Sequence, residues 1–321
     1  MNIRNPLFFY IWKQSIYMIK LNVKDETSRL RAVILGTAKS FGGTPSLEDA
    51  YDPKSALHIE AGTYPKEEDM VKEMEAVAAI FDKYGIQVFR PKLVSDYNQI
   101  FTRDIGFVVD DYFIKANILP DRERELEAIQ HIVDQMDPDR VLRFPEEAHV
   151  EGGDVMPYGD YLFVGTYRES DYADYIIART NMLAVKYLEE TFPDKKVISF
   201  NLRKSNTDPY ANALHLDCCF QPVGERMAIL HKNGFLVEEE YNWLLNFFGK
   251  ENVFEITSEE MFNMNSNIFS IGPDVVISEK NFTRLNSWLR DKGITVEEVG
   301  YSEIAKQEGL LRCSTLPLVR E

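Results

Sequence analysis

A thiol, an imidazole and a set of carboxylates stand at four separated places in this chain of 321 residues. Cys313 sits in the closing run Arg312-Cys313-Ser314-Thr315-Leu316-Pro317-Leu318-Val319-Arg320. Upstream lie Phe101-Thr102-Arg103-Asp104, Glu151-Gly152-Gly153-Asp154 and His215-Leu216-Asp217. A thiolate is a nucleophile, a histidine beside a carboxylate is an acid/base, and a carboxylate matches the two parallel N–H groups of a planar cation. Together they suit attack on the carbon of such a cation.

Each motif taken alone has a plainer meaning. A buried cysteine is usually an inert small hydrophobe. Here Arg312 beside Cys313 and Gly309 before it suggest an exposed thiol of lowered pKa on an irregular loop. His215 and Asp217 alternate, so on a strand they share a face. Glu-Gly-Gly-Asp could be only a turn, although two glycines also let backbone approach a ligand. Phe-Thr-Arg-Asp could be a surface ion pair. Cys218 and Cys219 read as packing residues, since no second cluster offers metal-ligand spacing. Neither the Gly-Lys pair at 249–250 nor Gly42-Gly43 makes a phosphate cradle.

The elements that must position these groups repeat in pattern. Strand, tight turn, strand, helix, strand recurs four times, with turns at Asp110-Asp111, Gly159-Asp160, Gly224-Glu225 and Gly272-Pro273-Asp274. The helices are expected near 122–135, 171–192, 238–248 and 281–292. The first part of the chain supplies strand 32–35, a helix near 67–84 and strand 86–89, one strand short of a unit. Leu316-Pro317-Leu318-Val319 is an orphan strand at the other end. Pairing it into the first unit closes a ring of five, which removes sheet edges. Asp104, Glu151, His215, Asp217 and Cys313 then converge on the axis. An ordinary α+β domain with several hairpins is the alternative.

Bulk composition sets bounds. Lys plus Arg total 36 against 52 Asp plus Glu, a net charge of -16. That excludes a nucleic-acid surface and suits a cationic small molecule. Three cysteines, two of them adjacent, do not form a disulfide framework, so a reducing, cytoplasmic home is expected. The apolar stretch Leu7–Ile19 is broken by Lys13 and Gln14 and is too short to span a membrane. Residues 1–30 read as an N-terminal extension without fold, of which 1–17 are either an upstream addition or an over-extended start. Residues 31–321 read as one catalytic domain.

From Arg31 to Glu321 the sequence resembles the guanidino-group-modifying enzymes: arginine deiminases, dimethylarginine hydrolases and amidinotransferases. Phe-Thr-Arg-Asp at 101–104 and Arg-Cys-x-x-x-Pro-Leu-Val-Arg at 312–320 are most similar to arginine deiminases. The resemblance implies an α/β propeller of five ββαβ units, the pentein fold, without cofactor or metal. It implies that Cys313 attacks the guanidinium carbon, that Asp104 and Asp217 clamp its nitrogens, and that His215 protonates the departing amine while Glu151 holds His215. Asp154 is placed with the substrate-binding groups. Arg168 is the first candidate for the substrate carboxylate, with Arg122 and Arg124 behind it. Hydrolysis of arginine or a close derivative is the preferred reaction, since amidinotransferases tend to carry Asp where this chain has Glu151. Amidino transfer to an amine is the alternative, and a non-catalytic pentein, like a ribosome anti-association factor, is a third. A homodimer is one arrangement open to such a chain.

Overall fold

The computed structural model describes residues 18–171 and 174–321. Five three-stranded sheets surround a common axis. In sequence order the strands are β1 Leu30–Leu35, β2 Gln87–Phe89, β3 Gly106–Val109, β4 Tyr112–Lys115, β5 Val141–Arg143, β6 Val155–Tyr158, β7 Tyr161–Thr166 and β8 Lys196–Asn201. They continue as β9 Phe220–Val223, β10 Met227–Leu230, β11 Val253–Glu255, β12 Phe269–Gly272, β13 Val275–Glu279, β14 Thr295–Val299 and β15 Thr315–Arg320. The helices are α1 Pro53–Glu60, α2 Glu67–Lys83, α3 Glu123–Val133, α4 Met182–Thr191, α5 Glu238–Phe248, α6 Ser258–Phe262 and α7 Thr283–Asp291.

Four units are built alike: an antiparallel hairpin, a crossover through a helix, and a third strand parallel to the second. Three of their turns demand left-handed backbone, which Asp110 (φ 52°), Gly159 (φ 59°) and Gly224 (φ 58°) supply. The fifth unit takes its first strand from the far end of the chain. β15 pairs antiparallel with β1, Leu316 opposite Ile34 and Pro317 opposite Val33, while β2 lies parallel on the other side of β1. The ring is therefore closed by the orphan strand. The crossover helices bury an apolar stripe, as α2 does with Met70, Met74, Val77 and Phe81 and α5 with Tyr241, Leu244, Leu245 and Phe248.

Three boundaries differ from expectation. Of the helix expected over 171–192, residues 172–173 lie outside the described residues, and the described part is helical only from Met182, where Asn181 caps it by accepting from the Ala184 N–H at 3.1 Å. His215 and Asp217 are not on a strand: 216–218 form a 3₁₀ turn and β9 starts at Phe220. The extension expected over 1–30 is corrected at its C-terminal part. Ile19, Asn22, Val23 and Asp25 make bridges to Met136, Val319, Asp110 and Tyr158, so 18–30 belong to the fold. Residues 1–17 lie outside the described residues.

The segment 18–30 also delivers Glu26 to the axis. Glu26 is 2% exposed and accepts from Arg312 Nη2 at 3.0 Å and Nε at 3.1 Å. Arg312 also donates to Asp217 Oδ2 at 2.8 Å and to the carbonyls of Gly153 and Val155 at 3.2 and 2.9 Å. One guanidinium thus ties the N-terminal segment, the 152–155 turn and the 215–218 turn together beneath the site.

Candidate active site

The loop 310–314 enters β15 held by Asn267. The Asn267 side-chain carbonyl accepts from the N–H groups of Leu310 and Cys313 at 3.2 and 3.1 Å, and its amide lies 3.2 Å from Cys313 Sγ. The 101–104 motif is stitched to the same loop. Arg103 N–H donates to the Cys313 carbonyl at 2.9 Å, and Thr102 Oγ1 donates to the Ser314 carbonyl at 3.0 Å. Gly309 makes room for Phe101, whose ring would stand 2.3 Å from an added Cβ.

Glu151, at the start of the 152–154 turn, receives His215 Nε2 at 2.7 Å. Gly153 lies flat under the imidazole, where a Cβ would meet His215 Cγ at 2.7 Å. The other imidazole nitrogen, Nδ1, stands 3.7 Å from Asp104 Oδ1, beyond hydrogen-bond reach. That oxygen has no hydrogen-bond partner among the described residues, while Asp104 Oδ2 accepts from Arg122 Nη1 at 2.9 Å. Asp104 therefore offers one lone acceptor toward an incoming N–H donor.

Asp104, His215 and Cys313 line a single cavity of about 270 Å³. Its remaining walls come from the 41–55 segment, from 96–101, from 121–125 and from 307–309, with Tyr64, Arg179 and Leu214. Carboxylates prevail in these walls, and two guanidiniums, Arg122 and Arg179, stand among them. Glu151 lies directly behind His215. Asp217 lies beneath Cys313, fully buried, with Oδ2 accepting from the Sγ–H at 3.6 Å.

Two expectations about placement are corrected here. Asp154 faces away from the cavity and accepts the Leu216 N–H at 2.9 Å, so it shapes the turn that carries His215. Arg168 lies outside the cavity, paired with Glu240 at 2.9 Å and donating to the Ser199 carbonyl at 3.0 Å. Arg124 instead stacks over Tyr97 at 5.1 Å. Asp217 also differs from a simple clamp, because Arg312 already holds it. The reading missed Arg179, which is 2% exposed and places Nη1 3.3 Å from both Glu151 oxygens. The Asn181 cap was the signal: a helix starting there leaves 174–180 as a loop that folds under Glu151.

Electrostatics define the protonation states. Burial works to neutralise His215, yet Asp104 and the Glu151 hydrogen bond outweigh it and raise its pKa, so the imidazole is held cationic. Burial likewise opposes charge on Glu151, but Arg179, His215 and Arg122 keep it ionised far below the usual carboxylate range. Cys313 departs from expectation. It is 3% exposed, and burial, then Asp217 and Asp104, push its thiol well above 9.0. Arg312 does not lower it, because Arg312 turns inward to Glu26 and Asp217. Asp104, Glu151 and His215 have ligand atoms within 4.8 Å of one another, the spacing of a small metal site. Arg122 and Arg179 already neutralise those carboxylates, so the donor set favours an organic cation.

The fold and this constellation define the class: a pentein enzyme that modifies guanidino groups. Within it, the chain belongs to the eukaryotic N,N-dimethylarginine dimethylhydrolase family, whose family model matches residues 52–320. An uncharacterized protein of Bacillus subtilis, YkgA, is 30% identical over 69% of this chain and 70% of its own length. An arginine deiminase of Limosilactobacillus reuteri is 27% identical over 56% of this chain. The chain spans about half the length of that deiminase, 48%. Among solved structures, an amidinotransferase of the saxitoxin biosynthetic pathway of Microseira wollei superposes with a TM-score of 0.71. It covers 94% of this chain and 98% of its own at 16% identity, a likeness of fold. Among the described residues, no helix is long and apolar enough to cross a membrane.

Proposed function

We propose that this enzyme hydrolyses a guanidinium C–N bond of arginine or a close arginine derivative through a covalent thiouronium on Cys313. The observation that carries the reading is one anionic cavity that holds Cys313, cationic His215 and the lone Asp104 acceptor together. In the empty site the thiol stays protonated. A guanidinium beside Asp104 reverses that field: it lowers the thiol pKa, and the proton leaves to solvent. Sγ then attacks the central carbon. His215 gives its Nδ1 proton to the departing nitrogen, which leaves as ammonia or an amine. The imidazole, now neutral, takes a proton from water as the water attacks the thiouronium carbon. Collapse expels the thiolate, which takes up the remaining hydroxyl proton to restore the thiol, and leaves a neutral ureido product. Glu151 holds the imidazolium through Nε2 in both halves. Arg122 and Arg179 supply the positive charge for a substrate carboxylate.

The test is intact-mass analysis of protein quenched during turnover with arginine and with N-methylated arginines, combined with product identification in the presence and absence of a panel of amines. Hydrolysis predicts an adduct on Cys313 and a ureido product that needs no added amine. Ornithine appearing only with an amine that becomes guanidinylated would establish transfer instead.

Asp104→Asn tests the clamp. Loss of a buried charge-assisted hydrogen bond should lower kcat/KM by about ten- to a hundredfold. Citrulline, a neutral isostere, should bind wild-type protein far more weakly than arginine binds the Cys313→Ser variant. Equal binding of the two would count against a guanidinium clamp.

A further inference from the structure

The nucleophile loop hangs on one buried carboxamide. Asn267 precedes β12 and is fully buried. Its backbone carbonyl accepts from the Arg312 N–H at 3.2 Å, and its side-chain oxygen accepts from the Leu310 and Cys313 N–H groups at 3.2 and 3.1 Å. The two ends of a carboxamide are alike in shape and opposite in chemistry. Only the oxygen can satisfy two N–H donors, so the nitrogen is the end that faces Cys313 Sγ at 3.2 Å and the Asp217 carbonyl at 3.4 Å.

That orientation matters because of what else surrounds the sulfur. Asp217 Oδ2 takes the S–H as a hydrogen bond at 3.6 Å, and Asp104 and His215 line the same cavity. Arg312 turns inward to Glu26 and Asp217. Among the described residues, Asn267 is the only side chain that donates to Sγ. Burial, Asp217 and Asp104 raise the thiol pKa, while the Leu310 N–H and the Asn267 amide work against them. Once the proton has left, Asp217 and the sulfur face one another as two anions. The Asn267 N–H then points at a full negative charge, where a hydrogen bond is stronger than one to a neutral thiol.

We propose that Asn267 is a further catalytic residue, whose amide N–H holds the Cys313 thiolate both as it forms beside the bound cation and as it is expelled at the end of hydrolysis. The amide gives a hydrogen bond and no proton, so the bond changes of the reaction stay as written above. The proposal rests on Cys313 as the nucleophile and adds the group that receives its charge.

The test is alkylation of Cys313 in the free enzyme by neutral iodoacetamide, followed at that residue by peptide mass spectrometry between about pH 8 and 10. Asn267→Ala should slow it by about ten- to a hundredfold at a given pH, because less thiolate is present. A residue that merely held the loop would act with the opposite sign: a loosened loop uncovers a thiol that is only 3% exposed and speeds its alkylation. Asn267→Asp keeps an acceptor for both N–H groups but presents an oxygen to the sulfur, and it should slow alkylation too. Should Asn267→Ala not fold, Asn267→Asp decides alone. In both variants kcat/KM should fall by a similar factor, whereas adding Asn267→Ala to Cys313→Ser should change arginine binding by less than about threefold. Alkylation at the wild-type rate or faster in a folded variant overturns the proposal, as does a loss of arginine binding as large as the loss in kcat/KM. Wild-type turnover in Cys313→Ser would instead refute the nucleophile, and with it the role of Asn267.

Discussion

Cys313→Ser removes turnover, by at least ~10³-fold, while the urea unfolding midpoint stays near that of the parent protein. The chemistry asks for a group that can exist as an anion beside a bound cation and then leave again. A serine hydroxyl has no such anion within reach of neutral pH, and His215, held cationic by Asp104 and Glu151, is no base for it in the first step. The fold should tolerate the change, since Sγ makes only two long polar contacts, to Asn267 at 3.2 Å and Asp217 at 3.6 Å. Cys218→Ser should keep its turnover, because Cys218 packs behind the site and does not line the cavity. Intact-mass spectra under turnover and steady-state rates decide both. Wild-type rates in Cys313→Ser would remove the nucleophile from the mechanism. The raised thiol pKa adds a second readout: alkylation of the free enzyme by neutral iodoacetamide should still be accelerating at pH 9.0, because the thiol titrates well above that value.

How much of this site the sequence made legible depends on how local each cause is. The ring was legible because three of the four hairpin turns place an Asp or Gly at positive φ, at 110, 159 and 224, and the fourth carries Gly-Pro-Asp at 272–274. The helix over 238–248 matched its bounds because Glu238, Glu239 and Glu240 suit the positive end of its dipole and Gly249 stops it. Strand β15 was legible as an orphan apolar run, and its partner followed from the unit that lacked a strand. Distant pairings were not legible. Arg312 next to Cys313 in sequence suggested a cation facing the thiol, but β15 and its preceding loop turn neighbouring side chains opposite ways, and Arg312 meets Glu26 on the axis. Nothing local in 18–30 marks Glu26 as a buried counter-ion. Arg168 and Arg179 are alike in sequence, and only the fold-back of the 174–180 loop places Arg179 beneath Glu151.

Arg312→Met should destabilise the protein by about 3–5 kcal/mol, comparable with much of the stability of an ordinary domain. Arg312 is fully buried and is the shared partner of two buried carboxylates, Glu26 and Asp217. Removing it leaves both without their guanidinium partner inside the ring, and strips donors from the Gly153 and Val155 carbonyls. Arg312→Lys should recover little, because one ammonium cannot reach Glu26, Asp217 and those carbonyls in the forked geometry a guanidinium spans. The pH dependence gives an independent check with a fixed sign. Burial works to raise the Glu26 pKa, but Arg312 and then Arg103 outweigh it and lower it from 4.5 to about 2. A carboxylate depressed in the folded state contributes stability that is complete above its unfolded value and is lost as pH falls through the folded one. Wild-type stability should therefore fall between about pH 4.5 and 2, and Glu26→Gln should flatten that part of the curve. Urea titrations across this range decide it. If Arg312→Met unfolds at the wild-type midpoint, the axial ion cluster is not what joins the N-terminal segment to the site.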